Sequence, residues 1–280
     1  MPGRTRMRTY ADIPLDVCMI KDYINGFILS LQFFTRIPVP VKIEYSDRAF
    51  AAGSSFAPLI GLLVGLISAG TCLLAGLSGI RMLAVLIAMI AEIAVTGGLH
   101  LDGLADTFDG LFSYRDRERT LAIMKDSRLG TGGAIGLILV LMMKYILLVS
   151  LPDRYLILCL AAMPVLSRMT VSWSAGLSPY ARKGERGMAA GLVEHTGPVE
   201  IVVSTALAII ISAILLRFAA VPLGMIVIAF NLAMVLYVKA RIGGITGDVI
   251  GAVIELSEVI FLLSVLVLDK LYSLQHMNLI

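Results

Sequence analysis

The chain has 280 residues, 58% of them hydrophobic and only 15% charged, with a net charge of +3 and a mean hydropathy of +0.91. That apolar share far exceeds a soluble domain's, which excludes a soluble globular enzyme and implies an integral membrane protein. No lysine or arginine tract resembles a nucleic-acid arm, so nucleic acid is not expected as a partner, and Cys18, Cys72 and Cys159 are too scattered for a disulfide framework or zinc site.

Residues 1–18 read as a polar, flexible leader, and 19–280 as a single membrane-embedded catalytic domain; Met19 is a second candidate start. The first apolar run, YINGFILSLQFF, lies between Asp22 and Arg36 and is broken by Asn25 and Gln32. It is shorter than the roughly 20 apolar residues a span needs, so a short re-entrant or interfacial helix is expected. No small-residue cleavage pattern follows it, which argues against a removable signal peptide.

Apolar segments then recur near 50–78, 82–99, 131–151, 155–176, 199–218, 221–238 and 249–268. The expected fold is therefore all-α: a polytopic bundle of about seven transmembrane helices. Gly61, Gly65 and Ala69 fall at i, i+4 and i+8, a face that lets a neighbouring helix approach closely. Such faces permit contacts between chains, and so a homo-oligomer, without requiring one.

Orientation follows from the loops. One alternate set carries most of the lysines and arginines, among them Arg36, Arg115, Arg128, Arg182 and Arg241; the other holds only Arg81, Arg154, Arg217 and Lys270. The first set is expected to face the cytoplasm from the inner membrane, and with it every polar motif of the chain.

The most unusual of these is GGLHLDGLADTFDG, residues 97–110. In a helix beginning near Leu101, Asp102, Asp106 and Asp109 stand at i, i+4 and i+7 and project from one face. Carboxylates so crowded repel unless a cation shares them. Oxygen-only ligands favour a hard ion, Mg²⁺ or Mn²⁺, and magnesium takes one or two carboxylates together with substrate phosphates. Downstream, Lys125, Asp126 and Arg128 precede a glycine-rich helix entry, where backbone N–H groups after Gly130 would be free for an anion. The basic loop residues Arg115, Arg117 and Arg119 read equally as phosphate ligands or as a juxtamembrane charged loop. A second glycine-rich acid, GGITGD ending in Asp248, opens the last span.

Glu92, Lys144, Arg168, Glu255 and Glu258 fall inside apolar segments, and Arg241, able to pair with an acid, lies near the last loop. Each is costly in lipid and is expected to face the protein interior, either paired or touching substrate. His100, two residues before Asp102, reads either as a general base or phosphate donor or as a structural histidine.

These blocks, with RDRERTLAIMKDSRLGTGG, FFTRIPVP, FAPLIGLLVG, SPYAR and GGITGDVIGAVIELSEVIFLL, resemble the cobalamin synthase family, the adenosylcobinamide-GDP ribazoletransferases. They run in family order from about Met19 onward; only 199–235 is generically hydrophobic. Phe108 stands where a small residue is expected, and the leader is an extra; neither departure touches the acids. The resemblance implies that a ribose hydroxyl of alpha-ribazole, or of its 5'-phosphate, attacks the cobinamide-linked phosphorus of adenosylcobinamide-GDP and releases GMP. It also implies Mg²⁺ as cofactor, held by Asp102 and Asp106, with Asp109 or Asp248 completing the shell. Asp102 or His100 would take the hydroxyl proton, and Lys125, Arg128 and Arg241 would clamp the diphosphate.

Two other readings stand beside this one. A secondary transporter would place acids at the bilayer midplane and show internal pseudo-symmetry, yet the two glycine-rich acidic motifs share one membrane edge. A CDP-alcohol-type lipid phosphotransferase would share the metal and diphosphate chemistry but departs in motif detail, since no arginine follows the expected alanine.

Overall fold

A backbone crossing lipid must satisfy its own polar groups, and this chain does so with helices. The computed structural model describes residues 15–277, in which no strand occurs and Tyr180 and Ile245 form an isolated bridge. Most of the expected leader lies outside the described residues.

The first helix, α1 (Leu15–Phe34), is longer than the short element expected, because it extends N-terminally into the polar sequence. It is still not among the runs apolar enough to cross a membrane. It packs on α2 (Asp47–Gly53), with Gly26 and Gly53 against each other's backbone where any side chain would overlap. A 3-10 turn then leads into α3 (Ala57–Gly76). The other elements are α4 (Arg81–Thr96), α5 (Leu99–Phe112), α6 (Arg117–Ile123), α7 (Thr131–Ser150), α8 (Asp153–Leu177), α9 (Met188–His195), α10 (Pro198–Leu216), α11 (Ala220–Ile242) and α12 (Gly247–Met277).

Five runs among the described residues are long and apolar enough to span a membrane, or six if the bent pair α4–α5 is counted as one. One of the five, Pro198–Ile242, contains both α10 and α11. Arg217 between them has φ 56°, and Ile209 of α10 lies against Gly224 of α11, so the two fold back as a hairpin. Each of the seven apolar segments read from the sequence thus coincides with a helix.

α8 forms the axis of the bundle, buried nearly all round, as a helix apolar on every side should be. Gly61 and Gly65 of α3 sit against the carbonyls of Pro164 and Ala161 of α8. The small-residue face is therefore consumed within the chain and lends nothing to contacts between chains. Outward-facing Leu73, Leu74, Leu86, Ile138, Met142, Ile214, Met225 and Leu236 are exposed around the bundle, as a lipid-facing belt requires.

The local feature that positions the site is a corner. Gly97 and Gly98, with φ of 64° and 69°, occupy the left-handed region that glycine enters without strain. They turn the chain by 89° between α4 and α5. Arg36 locks the corner from outside, its N–H donating to the Val95 carbonyl at 2.7 Å. α5 consequently lies across the end of the bundle instead of continuing through it.

Candidate active site

α5 carries Asp102, Asp106 and Asp109 in the expected register: Asp102 is exposed, while Asp106 and Asp109 are half-buried. α5 also packs on the start of α12, where Gly103 lies against the Asp248 backbone and Gly251 against His100. These two glycines bring the helices close enough to set Asp248 among the α5 acids.

The crowding has an electrostatic signature. The Asp106 carboxyl is pushed up to about 7, first by burial and then by Asp248, Asp102 and Asp109, against the opposing pull of Arg182. Among the described residues no three histidine, cysteine or acidic side chains converge tightly enough to form a ready-made metal site. The donor set nonetheless fits magnesium, which needs only one or two carboxylates when phosphate oxygens and water supply the rest.

Asp109 is committed elsewhere. Its two oxygens accept from the N–H groups of Gly130 and Gly133, each at 2.7 Å. α7 begins where the glycine-rich entry predicts, but two of the N–H groups at that entry, those of Gly130 and Gly133, are filled by this carboxylate.

The loop residues expected to clamp phosphate are also engaged or remote. Lys125 pairs with Glu185 at 3.1 Å, and Arg128 with its neighbour Asp126 at 2.6 Å, all at the surface. That pairing holds the Asp126 carboxyl below its ordinary value. Arg241 is exposed at the end of α11. None of Lys125, Asp126, Arg128 and Arg241 lines the cavity beside Asp102. Of the three loop arginines left open, Arg117 is structural, donating to the carbonyls of Ile242 and Ala181 at 2.7 Å each.

The cation that does reach the acids is Arg182, which sequence reasoning left unassigned within SPYARKGERG. It donates to Asp248 at 3.0 Å and is mostly buried. The backbone bridge explains its position: Ala181 donates to the Ile245 carbonyl at 2.9 Å and Ile245 to the Pro179 carbonyl at 2.8 Å. Gly244 makes room by lying against the Pro179 carbonyl.

Beneath these residues is a cavity of about 350 Å³. Asp102, Asp248, Glu185, Tyr180, Arg182 and Arg186 supply its polar lining, Phe33, Phe34, Phe50, Leu192 and Ile254 its apolar wall, and His100 also lines it. His100 is buried, its Nδ1 4.0 Å from Glu255 Oε1, and neither ring nitrogen has a hydrogen-bond partner.

Deeper still, the intraspan charges form one network. Lys144 of α7 binds Glu258 of α12, stands 3.0 Å from Glu92 of α4, and lies 3.7 Å from Glu255. Arg168 of α8 reaches Glu258 at 3.2 Å, and Ser167 donates to the same oxygen at 3.0 Å. All five charged groups face inward, as their cost in lipid requires, and pairing rather than substrate contact accounts for Glu92, Lys144 and Arg168.

The fold and cavity define a polytopic helical membrane protein with an acid- and arginine-lined site at one end of its bundle. A family model described as Cobalamin-5-phosphate synthase matches residues 26–267, and the chain belongs to that family. It is 38% identical over 243 residues to an adenosylcobinamide-GDP ribazoletransferase of Clostridium novyi (strain NT), covering 87% of this chain and 97% of that protein. Proteins of the same name from Acetivibrio thermocellus (38% over 247 residues, 86% and 97%) and Chlorobium phaeobacteroides (39% over 240 residues, 85% and 95%) are similarly related. No solved structure matches the chain.

Proposed function

We propose that this chain is a membrane-bound transferase that joins alpha-ribazole, or its 5'-phosphate, to adenosylcobinamide-GDP and releases GMP. The observation that carries the reading is near-full-length similarity to proteins of that named activity. The site is consistent with it, because acids and a cation suited to a diphosphate meet beside a cavity of small-molecule size.

In this reaction a ribose oxygen forms a bond to the cobinamide-linked phosphorus while the bond from that phosphorus to the oxygen of the departing GMP breaks. Asp102 and Asp106 would hold Mg²⁺, with Asp248 beside them; Asp109, spent on α7, is left out of the shell. When bound, the ion offsets charge gathering on the leaving phosphate. Arg182 supplies the fixed positive charge at the same place, prearranged by its bond to Asp248. The hydroxyl proton passes to a carboxylate at the cavity, for which accessible Asp102 is better placed than buried His100.

The positive loops, gathered on the site's side of the bundle, support an inner-membrane protein whose site faces the cytoplasm. The reading is tested by incubating purified protein in lipid nanodiscs with Mg²⁺, adenosylcobinamide-GDP and alpha-ribazole and measuring GMP. Release by the wild type and its loss in Asp102→Ala and Asp106→Ala are expected. No release, or near-wild-type turnover in both variants, would overturn the activity or the assignment respectively.

A further inference from the structure

The cavity is lined by both apolar and charged side chains, and the proposed reaction has two substrates to distribute. Phe33, Phe34 and Phe50 form an aromatic cluster, with ring centroids 5.0 Å apart for Phe33–Phe34 and 5.2 Å for Phe33–Phe50. With Leu192 and Ile254 they make a wall offering no hydrogen bonds from its side chains. Like Tyr45, whose ring centroid is 6.0 Å from that of Phe50, His100 is a polar side chain set against this wall, its ring centroid 5.9 Å from that of Phe34. Both its nitrogens are buried without a partner. A buried donor left unpaired is costly, a cost that a ligand acceptor reaching the His100 ring would relieve.

Resting on the proposed reaction, we infer that this apolar compartment is the subsite for the dimethylbenzimidazole ring of alpha-ribazole, with His100 donating to its unsubstituted ring nitrogen. Three matches carry the assignment. The ring is planar and apolar, presenting two methyl groups and a single acceptor, and the compartment joins an aromatic and aliphatic wall to the buried, unpartnered His100 ring. Guanine, by contrast, carries O6, N7 and an amino group on its edges, and burying these against phenylalanine and leucine would strand them. The corrin macrocycle, fringed with amides, is too large for about 350 Å³. Finally, the polarity runs in the right direction: with the base inward, the ribose hydroxyls face Asp102, Asp248 and Arg182, where the phosphorus must lie.

The test uses the full chain in nanodiscs and reads each substrate separately. Leu192→Ala should raise the KM for alpha-ribazole about tenfold, as loss of pocket contact does, while the KM for adenosylcobinamide-GDP stays within about twofold. His100→Ala should do the same, and His100→Gln, which keeps an N–H donor, should recover part of the loss. On the wild type, where folding is not in question, the benzimidazole riboside lacking both methyl groups should show at least about a tenfold higher KM. Equilibrium dialysis of alpha-ribazole alone repeats the comparison without the corrinoid, so the subsite is read even if no GMP is ever released. A shift in the KM for adenosylcobinamide-GDP instead, or unchanged alpha-ribazole affinity in both Leu192→Ala and His100→Ala, overturns the assignment. Absent GMP release by the wild type overturns the reaction and leaves the dialysis result to judge the subsite.

Discussion

Arg182 and Asp248 lie 66 residues apart, yet the guanidinium donates to the carboxylate at 3.0 Å. The contact joins the loop after α8 to the start of α12 and places one fixed cation among the acids of α5. Arg182→Ala should therefore lower GMP release by about 10²-fold, the scale of losing one preorganised electrostatic contact. Lys125→Ala and Arg128→Ala, which break surface pairs, should change it less than about threefold. Steady-state turnover of the three variants side by side checks the ranking.

Asp109 and Asp102 differ in employment although both stand on α5. Removing Asp109 strands two N–H groups at the start of α7, so Asp109→Ala should cost about 2 kcal/mol of stability. Turnover per folded molecule should fall far less than in Asp102→Ala, which in turn should leave the melting temperature nearly unchanged. Thermal melts paired with active-fraction assays separate the two outcomes.

In the buried network three carboxylates face two cations, and Glu258 serves both of them. Glu258→Gln should cost about 3–5 kcal/mol, the scale of breaking a buried ion pair. Glu92→Gln leaves two charges of each sign and should cost distinctly less, under about 2 kcal/mol. Unfolding in mixed micelles of lipid and denaturing detergent measures the difference.

Gly98 owes its place to conformation alone, since a side chain there would meet no neighbour. Gly98→Ala should cost about 1–2 kcal/mol, the strain of a left-handed residue with a Cβ atom. Gly103 is constrained by the Asp248 backbone instead. Gly103→Ala should lower turnover by pushing α5 from α12, and a matched loss of stability and turnover at both positions would refute the distinction.

Much of this architecture was legible in the residues. Apolar runs located the helices because lipid leaves the backbone few alternatives, and i, i+4, i+7 spacing put three aspartates on one face. The roles of those aspartates were less legible, because Asp109 turns toward α7 through contacts 21 and 24 residues away. Arg182 escaped notice because a bridge between two distant loops, not local sequence, carries it to the acids. For Arg128 a local signal did exist: an aspartate two residues earlier is positioned to neutralise it.

The right-angle turn at Gly97 and Gly98 also fixes how the acids are presented. A straight continuation of α4 would have carried the aspartates out along its own axis, away from the start of α12. Folded sideways, α5 becomes a shelf across the end of the bundle, and its carboxylates share one corner with Asp248 and Arg182.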